Sequence, residues 1–251
     1  MEEYPRYVTK GFKPFDPLEL AKRTEEVVGH NSSRKYTAFY CTGVYRGIST
    51  AYTVGCCLRC VFCWVSFSRD FPEEYGEFYT PEEVFKNLVS NAKKSKVKSL
   101  RISGGEPTLC RAHLLKVLDL VTSVDFLFIL ESNGILLGHD SDYVKALKKY
   151  PNIYVRISLK AGTAEGFQRR TGAIGDFYKL PFQAIKNLKE SGVSFHIASM
   201  SDPRLMPTSE RREMFKNLRD VDYWDYVEEE TCDPYDTSVI RLEKAGFDIW
   251  K

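Results

Sequence analysis

The 251-residue chain has no uninterrupted apolar run approaching the roughly 20 residues that a membrane-spanning helix needs, so no membrane association is expected. It also lacks charge of one sign: 36 Lys and Arg against 34 Asp and Glu leave +2, which excludes a strongly basic nucleic-acid coat and an acidic tail. The opening residues MEEYPRYVTK lack the charged-then-apolar layout of a secretory signal, so no export is expected. Glutamine is scarce, represented by Gln168 and Gln183, a thinning of thermolabile amides that heat-adapted proteins favour. The four histidines, His30, His113, His139 and His196, share no metal-ligand spacing, and His196 reads as a satisfied core histidine inside a strand. No repeat, low-complexity tract or Pro/Gly/Ser-rich linker divides the chain. The hydrophobic share of 43% and charged share of 28% are ordinary for a globular protein. The length admits one or two domains, or a single α/β barrel.

Cysteine is what the sequence does have. Seven is an odd number that cannot pair fully, and four of the seven fall between positions 56 and 63. Such crowding opposes a disulfide framework and favours a metal or redox site in a reducing, cytoplasmic compartment.

Along the chain, 16–28 reads as a capped helix, beginning Asp16-Pro17-Leu18-Glu19, and 36–54 reads as extended. A helix from Pro81 carries the capping box Thr80-x-x-Glu83 and puts Val84, Phe85, Leu88, Val89 and Ala92 on one face. Strands are expected near 50–55, 97–103, 126–130, 153–159, 193–198 and 223–227. Helices near 113–121, 142–149, 177–191 and 209–218 separate the later ones. Apolar runs alternating with amphipathic helices indicate a parallel sheet of six βα-type units. That leaves a partial open barrel or a doubly wound sheet, with reactive groups at the C-terminal strand ends in either case. The runs at Lys93, Lys94, Lys96 and Lys98, Arg169-Arg170 and Arg211-Arg212 read as solvated helix faces.

The thiol stretch is Gly55-Cys56-Cys57-Leu58-Arg59-Cys60-Val61-Phe62-Cys63-Trp64. Cys56, Cys60 and Cys63 form C-x3-C-x2-C. Three thiolates on one loop suit zinc or an iron–sulfur cluster, and three ligands where four would close a site leave a metal position open. A second register, Cys57, Cys60 and Cys63 with Cys41 or a histidine, would serve a structural zinc. Buried, inert thiols are the bland alternative. Downstream, Ser103-Gly104-Gly105-Glu106-Pro107 closes a strand with two glycines that admit close backbone approach.

The cysteine spacing, the aromatic Phe62 before its third Cys and the Gly104-Gly105-Glu106 element together resemble the radical S-adenosylmethionine (radical SAM) enzymes. The resemblance implies an α/β fold, a partial open (β/α)6 barrel, with residues 1–48 as an N-terminal extension, 49–230 as the core and 231–251 as a capping segment. It implies a [4Fe–4S] cluster on Cys56, Cys60 and Cys63, with S-adenosylmethionine (SAM) chelated at the open iron. One electron, from a flavodoxin- or ferredoxin-like donor, would release a 5′-deoxyadenosyl radical that abstracts hydrogen from a substrate. Phe62 and Trp64 offer flat surface for adenine, and Glu106 can accept from an ammonium group.

Two further segments, Glu131-Ser132-Asn133-Gly134 and Ser158-Leu159-Lys160, resemble the SAM-touching stretches of the activating enzymes of glycyl-radical enzymes. By that match Ser132, Asn133, Ser158 and Lys160 line the pocket, with Lys160 on the SAM carboxylate. The chain departs from that subgroup: Glu131 and Ser158 stand where it has Asp. Cys63-Trp64 is similar to the radical SAM enzymes of tRNA wybutosine synthesis. The substrate is therefore expected to be macromolecular, a protein in the activating-enzyme manner or alternatively an RNA. A non-catalytic zinc or iron–sulfur module is the reading of a different class.

Overall fold

The computed structural model describes residues 3–250. Helix α1 (Pro17–Val28) starts where the Asp16 carboxylate accepts from the backbone N–H of Leu18 at 2.7 Å, with Pro17 at the first helical position. Strands β1 (Gly29–His30), β2 (Ser33–Thr42), β3 (Ile48–Thr53) and β4 (Glu77–Tyr79) come next. Helix α2 (Pro81–Ser95) opens on the expected reciprocal capping box of Thr80 and Glu83. The order then runs β5 (Ser99–Gly104), α3 (Arg111–Val121), β6 (Leu127–Ser132), α4 (Ile135–His139), α5 (Ser141–Leu147) and β7 (Ile153–Leu159). It ends with α6 (Ala164–Thr171), α7 (Lys179–Ser191), β8 (Phe195–Met200), α8 (Thr208–Asp220), β9 (Val227–Glu230) and α9 (Asp236–Lys244).

Strands β3, β5, β6, β7, β8 and β9 pair in parallel in that order, which gives the six expected units. β2 extends the sheet antiparallel to β3 and carries β1 and β4. β9 does not return to pair with the first strands, so the sheet is open. Alternation divides its residues cleanly. Ala51, Leu100, Ile102, Phe128, Leu130, Val155, Ile157 and Ile197 share one cluster with apolar residues of α2, α3, α5, α7 and α8. The other face carries Thr50, Arg101, Ser103, Glu131, Arg156 and Glu228, which hydrogen-bond among themselves. A doubly wound sheet would bury both faces under helices. Helices on one face and polar side chains on the other make this a partial barrel.

The structure corrects several boundaries. The extended stretch at 36–54 is a β2–β3 hairpin, broken by a 3-10 turn at Val44–Arg46 and by Gly47 at φ 112°. The last strand of the sheet, expected at 223–227, begins at Val227, and Trp224 and Tyr226 before it stand exposed. Helices α4 and α6 carry no readable period, being five and eight residues long. Gly138 lets α4 lie against α7, since a Cβ there would sit 1.9 Å from the Leu180 carbonyl oxygen. Arg170, expected on a helix surface, is buried and paired with Glu210, and it donates to the Leu205 carbonyl at 3.0 Å. His196 faces the polar side of the sheet, where its Nε2 lies 3.2 Å from Glu228 Oε2.

His113 of α3 is a buried tie between α3 and the start of β2. Its Nε2 meets the Tyr36 hydroxyl at 2.9 Å and its Nδ1 meets the Ser32 carbonyl at 2.8 Å. Burial pushes its pKa down from 6.5 to about 4, against the pull of the Ser32 carbonyl. The fold therefore favours the neutral ring. Its contribution is fully present above the unfolded value of 6.5 and is lost as pH falls towards 4. Chemical denaturation at pH 7 and pH 4.5 should differ by up to about 3 kcal/mol from this group alone. His113→Gln should flatten that part of the pH dependence, and an unchanged slope in the variant would refute the assignment.

Candidate functional site

The thiol loop leaves the C-terminal end of β3 through Gly55, held at φ 81°. Cys57 and Cys60 are buried and Cys56 and Cys63 partly open, and all seven cysteines are free thiols. Val54, Leu58, Val61, Phe62, Leu109 and Ile135 pack around the loop in a second apolar cluster. Its carbonyls are held from below by arginines. Arg59 Nη1 donates to the Cys56 carbonyl at 2.8 Å and to that of Leu58 at 2.9 Å. Arg69 Nη1 donates to Cys60 at 2.6 Å, and Arg241 Nη1, from α9, donates to Cys63 at 2.5 Å and Val65 at 2.6 Å. Asp70 sits between Arg69 and Arg241 and pairs with both.

The Gly-Gly-Glu element closes β5 alongside that loop. Gly105 donates to the Thr53 carbonyl at 2.9 Å and Glu106 N–H to that of Gly55 at 2.8 Å. A Cβ at Gly105 would lie 2.0 Å from the Gly55 oxygen, so the approach requires glycine. Arg34 of β2 fixes the far side, donating to the carbonyls of Glu106, Pro107 and Leu109 at 2.7, 2.6 and 2.7 Å. The Glu106 carboxylate is buried. Its Oε1 accepts from Thr108 N (3.0 Å), Thr108 Oγ1 (2.6 Å) and Ser132 Oγ (2.9 Å), and its Oε2 accepts from Asn133 N (2.8 Å). Asn133 Nδ2 in turn points at Cys57 Sγ (3.3 Å) and Cys56 Sγ (3.7 Å).

At the end of β7, Lys160 Nζ donates to Ser158 Oγ at 2.6 Å and lies 5.8 Å from the centre of the Phe62 ring. Burial pushes the Cys60 thiol up to about 12, against the opposing charge of Lys160. The hydrogen bond from Cys57 draws the Cys56 thiol down to about 7. The strand ends thus bring Phe62, Gly104, Gly105, Glu106, Ser132, Asn133, Ser158 and Lys160 beside the thiol loop. Trp64 stands apart at the rim, 46% exposed and edge-on to Tyr52 at 6.2 Å. Among the described residues, no three His, Cys, Asp or Glu side chains gather as ligands to a single ion.

The inner face of the sheet holds residues that motif reading passes over. Glu131 accepts from Arg101 Nη1 at 3.0 Å, Ser103 Oγ at 2.7 Å and the Tyr45 hydroxyl at 2.8 Å. Burial works against its ionisation, but Arg101 and Arg156 outweigh it and hold the carboxyl below its usual range. Arg156 reaches across to Glu228 at 2.9 Å and Glu230 at 2.7 Å. Tyr45 and Arg46 keep left-handed backbone (φ 52° and 63°), strained for bulky side chains, at the other end of the strands. A cavity of about 730 Å³ opens there, lined by rings of Tyr45, Tyr154, Phe195, Tyr223 and Tyr226. The alternation Arg101-x-Ser103 and Arg156-x-Ser158 in otherwise apolar strands is the signal that marks this face.

Residues 50–204 match the radical SAM superfamily. The chain belongs to that superfamily. Radical SAM enzymes generically cleave SAM reductively at a [4Fe–4S] cluster with an external reductant, and the chain carries the domain of that superfamily. It is 27% identical over 176 residues to a probable GTP 3′,8-cyclase of Thermococcus kodakarensis, across 70% of this chain and 50% of that protein. The chain spans about half the length of the curated relatives it matches. Its fold is similar to that of SuiB from Streptococcus suis bound to the precursor peptide SuiA. That match has TM-score 0.59 and 18% identity and covers 73% of this chain and 38% of that one. It is also similar to TYW1 with a bound lysine–pyruvate adduct, with TM-score 0.58, 19% identity and 78% and 67% coverage. No helix among the described residues is long and apolar enough to cross a membrane.

Two buried charges suit the superfamily's cofactors. Glu106 is 2% exposed and has no Lys, Arg or His ion-pair partner among the described residues, which fits it to an ammonium group. Arg59 is fully buried, has no carboxylate partner among the described residues, and leaves Nη2 without a hydrogen bond. It fits an anionic centre. The donor set itself, three thiols within eight positions, suits iron–sulfur ligation.

Proposed function

We propose that Cys56, Cys60 and Cys63 hold the [4Fe–4S] cluster, that SAM lies between the thiol loop and the Gly-Gly-Glu turn, and that the substrate is an RNA. The observation carrying this reading is the unpaired buried Glu106 carboxylate, joined through Ser132 and Asn133 to the first cysteine. When bound, the cluster supplies the electron that splits SAM into methionine and a 5′-deoxyadenosyl radical. The chain's residues do the placing. Glu106 Oε2, with one donor filled, accepts from the SAM amino group. Lys160, parked on Ser158 Oγ, swings to the SAM carboxylate. Gly104 and Gly105 admit SAM against the main chain, and Phe62, with Trp64 at the rim, faces the adenine.

The substrate would lie along the inner face, from Ser158 and Lys160 to the ring-lined mouth. The rings at its far end offer flat faces on which bases stack. Among the relatives, the TYW1 likeness accompanies the Cys63-Trp64 pair and supports the reading, the curated ones are probable cyclases of a nucleotide, and SuiB is bound to a peptide. Protein activation has less support, because Glu131, where the activating enzymes have Asp, is spent on Arg101, Ser103 and Tyr45. With reconstituted enzyme, SAM and reductant, bulk tRNA should raise 5′-deoxyadenosine formation roughly tenfold, about 1.4 kcal/mol of barrier, over the substrate-free rate. GTP alone and peptides should not. Stimulation by peptide without stimulation by RNA would overturn the RNA assignment.

A further inference from the structure

Each of the three motif cysteines has its backbone carbonyl held by a different buried guanidinium: Cys56 by Arg59, Cys60 by Arg69 and Cys63 by Arg241. Holding a carbonyl requires a donor but not a charge, and a buried charge costs several kcal/mol unless it is compensated. Asp70 is the one carboxylate among them and it is shared by Arg69 and Arg241, while Arg59 has none. Among the described residues, carboxylates therefore leave a net charge of +2 under the loop, with the Tyr4 ring 5.1 Å from the Arg59 guanidinium and the Phe67 ring 5.8 Å from that of Arg241. Arg59 Nη2 and Arg241 Nε have no hydrogen-bond partner among the described residues, so carbonyl binding alone does not account for these side chains.

We propose that Arg59, Arg69 and Arg241 are positioning residues that serve as the fixed counter-charge of the cluster and raise its reduction potential. The inference rests on the cluster reading given above. Three thiolates carry negative charge, and reduction adds one electron from a flavodoxin- or ferredoxin-class donor, with no bond or proton change. In a buried, low-dielectric setting, nearby cations ease that addition far more than they would in water. Arginine suits the role because it stays charged at any accessible pH. Arg241 acts from α9, so the C-terminal helix tunes the cluster as well as capping the barrel.

The test uses the full chain reconstituted anaerobically, without SAM. Iron and sulfide are counted, and the reduced fraction is followed by electron paramagnetic resonance across a mediated redox titration. Arg59→Gln and Arg241→Gln should each lower the reduced-to-oxidised ratio at fixed potential about tenfold, a shift of about 59 mV for one electron. Arg59→Lys, which keeps the charge and changes the hydrogen-bond geometry, should stay near wild type. A Gln variant with full cluster and an unshifted potential overturns the proposal, as do equal shifts for Lys and Gln. Failure of both Arg59 variants to take up a cluster also overturns it, because shape alone would explain that result. A wild-type chain that takes up no iron or sulfide overturns the cluster reading itself, and this inference with it.

Discussion

Cys56→Ala is expected to abolish iron–sulfur loading and 5′-deoxyadenosine formation, whereas Cys57→Ala should leave both largely intact. The two residues are adjacent but face different surroundings. Cys56 is partly open and completes C-x3-C-x2-C with Cys60 and Cys63. Cys57 is fully buried in the apolar cluster, against Asn133 Nδ2. Removing its sulfur leaves a small void, worth about 1 kcal/mol on the scale of one deleted heavy atom. On the proposed assignment, removing Cys56 would leave two ligands for a cluster that needs three from the protein. Iron and sulfide analysis with visible absorption reads the difference directly. Loss of colour in Cys57→Ala and its retention in Cys56→Ala would move the ligand set to the C-x2-C-x2-C register. A colourless wild-type protein carrying one zinc would overturn the iron–sulfur assignment.

Glu106→Gln should lower SAM affinity at least tenfold and also destabilise the apo protein. The carboxylate accepts four hydrogen bonds through two oxygens, and every neighbour that touches it is a donor. An amide puts an NH₂ group against one of those donors whichever way it is turned. The unmatched buried pair costs about 1–3 kcal/mol, which denaturation of the apo chain would show. The loss of charge towards the SAM ammonium group is separate, and a tenfold change in Kd corresponds to about 1.4 kcal/mol. Binding measured by calorimetry on the loaded enzyme separates the two. A variant that loses stability and keeps SAM affinity would make Glu106 a structural hub only.

The thiol loop and the Gly-Gly-Glu turn were legible because each is contiguous, with its chemistry written in neighbouring letters. The six parallel strands were legible because their outer-face residues, such as Leu100-x-Ile102 and Val155-x-Ile157, are apolar runs broken by amphipathic helices. The supporting arginines were not. Arg34 meets its carbonyls across more than 70 positions and Arg241 meets Cys63 across 178, and no local pattern announces such partners. Arg170 beside Arg169 looks like a solvated pair in sequence, and only the fold shows Glu210 waiting opposite it. The inner face lay between these cases. Its alternating polar residues were visible, but which face was covered depended on where the helices packed.

The grip of α9 on the thiol loop also orders events in the life of the chain. Domains fold as the ribosome delivers them, N-terminal parts first. Residues 56–63 are made long before Arg241, which holds Cys63, Val65 and Asp70 in place. Until residue 241 has emerged, the nascent loop has its thiols but lacks one of its three clamps. The hold on Cys63 is therefore completed only after α9 has been made, well after the loop that it fixes.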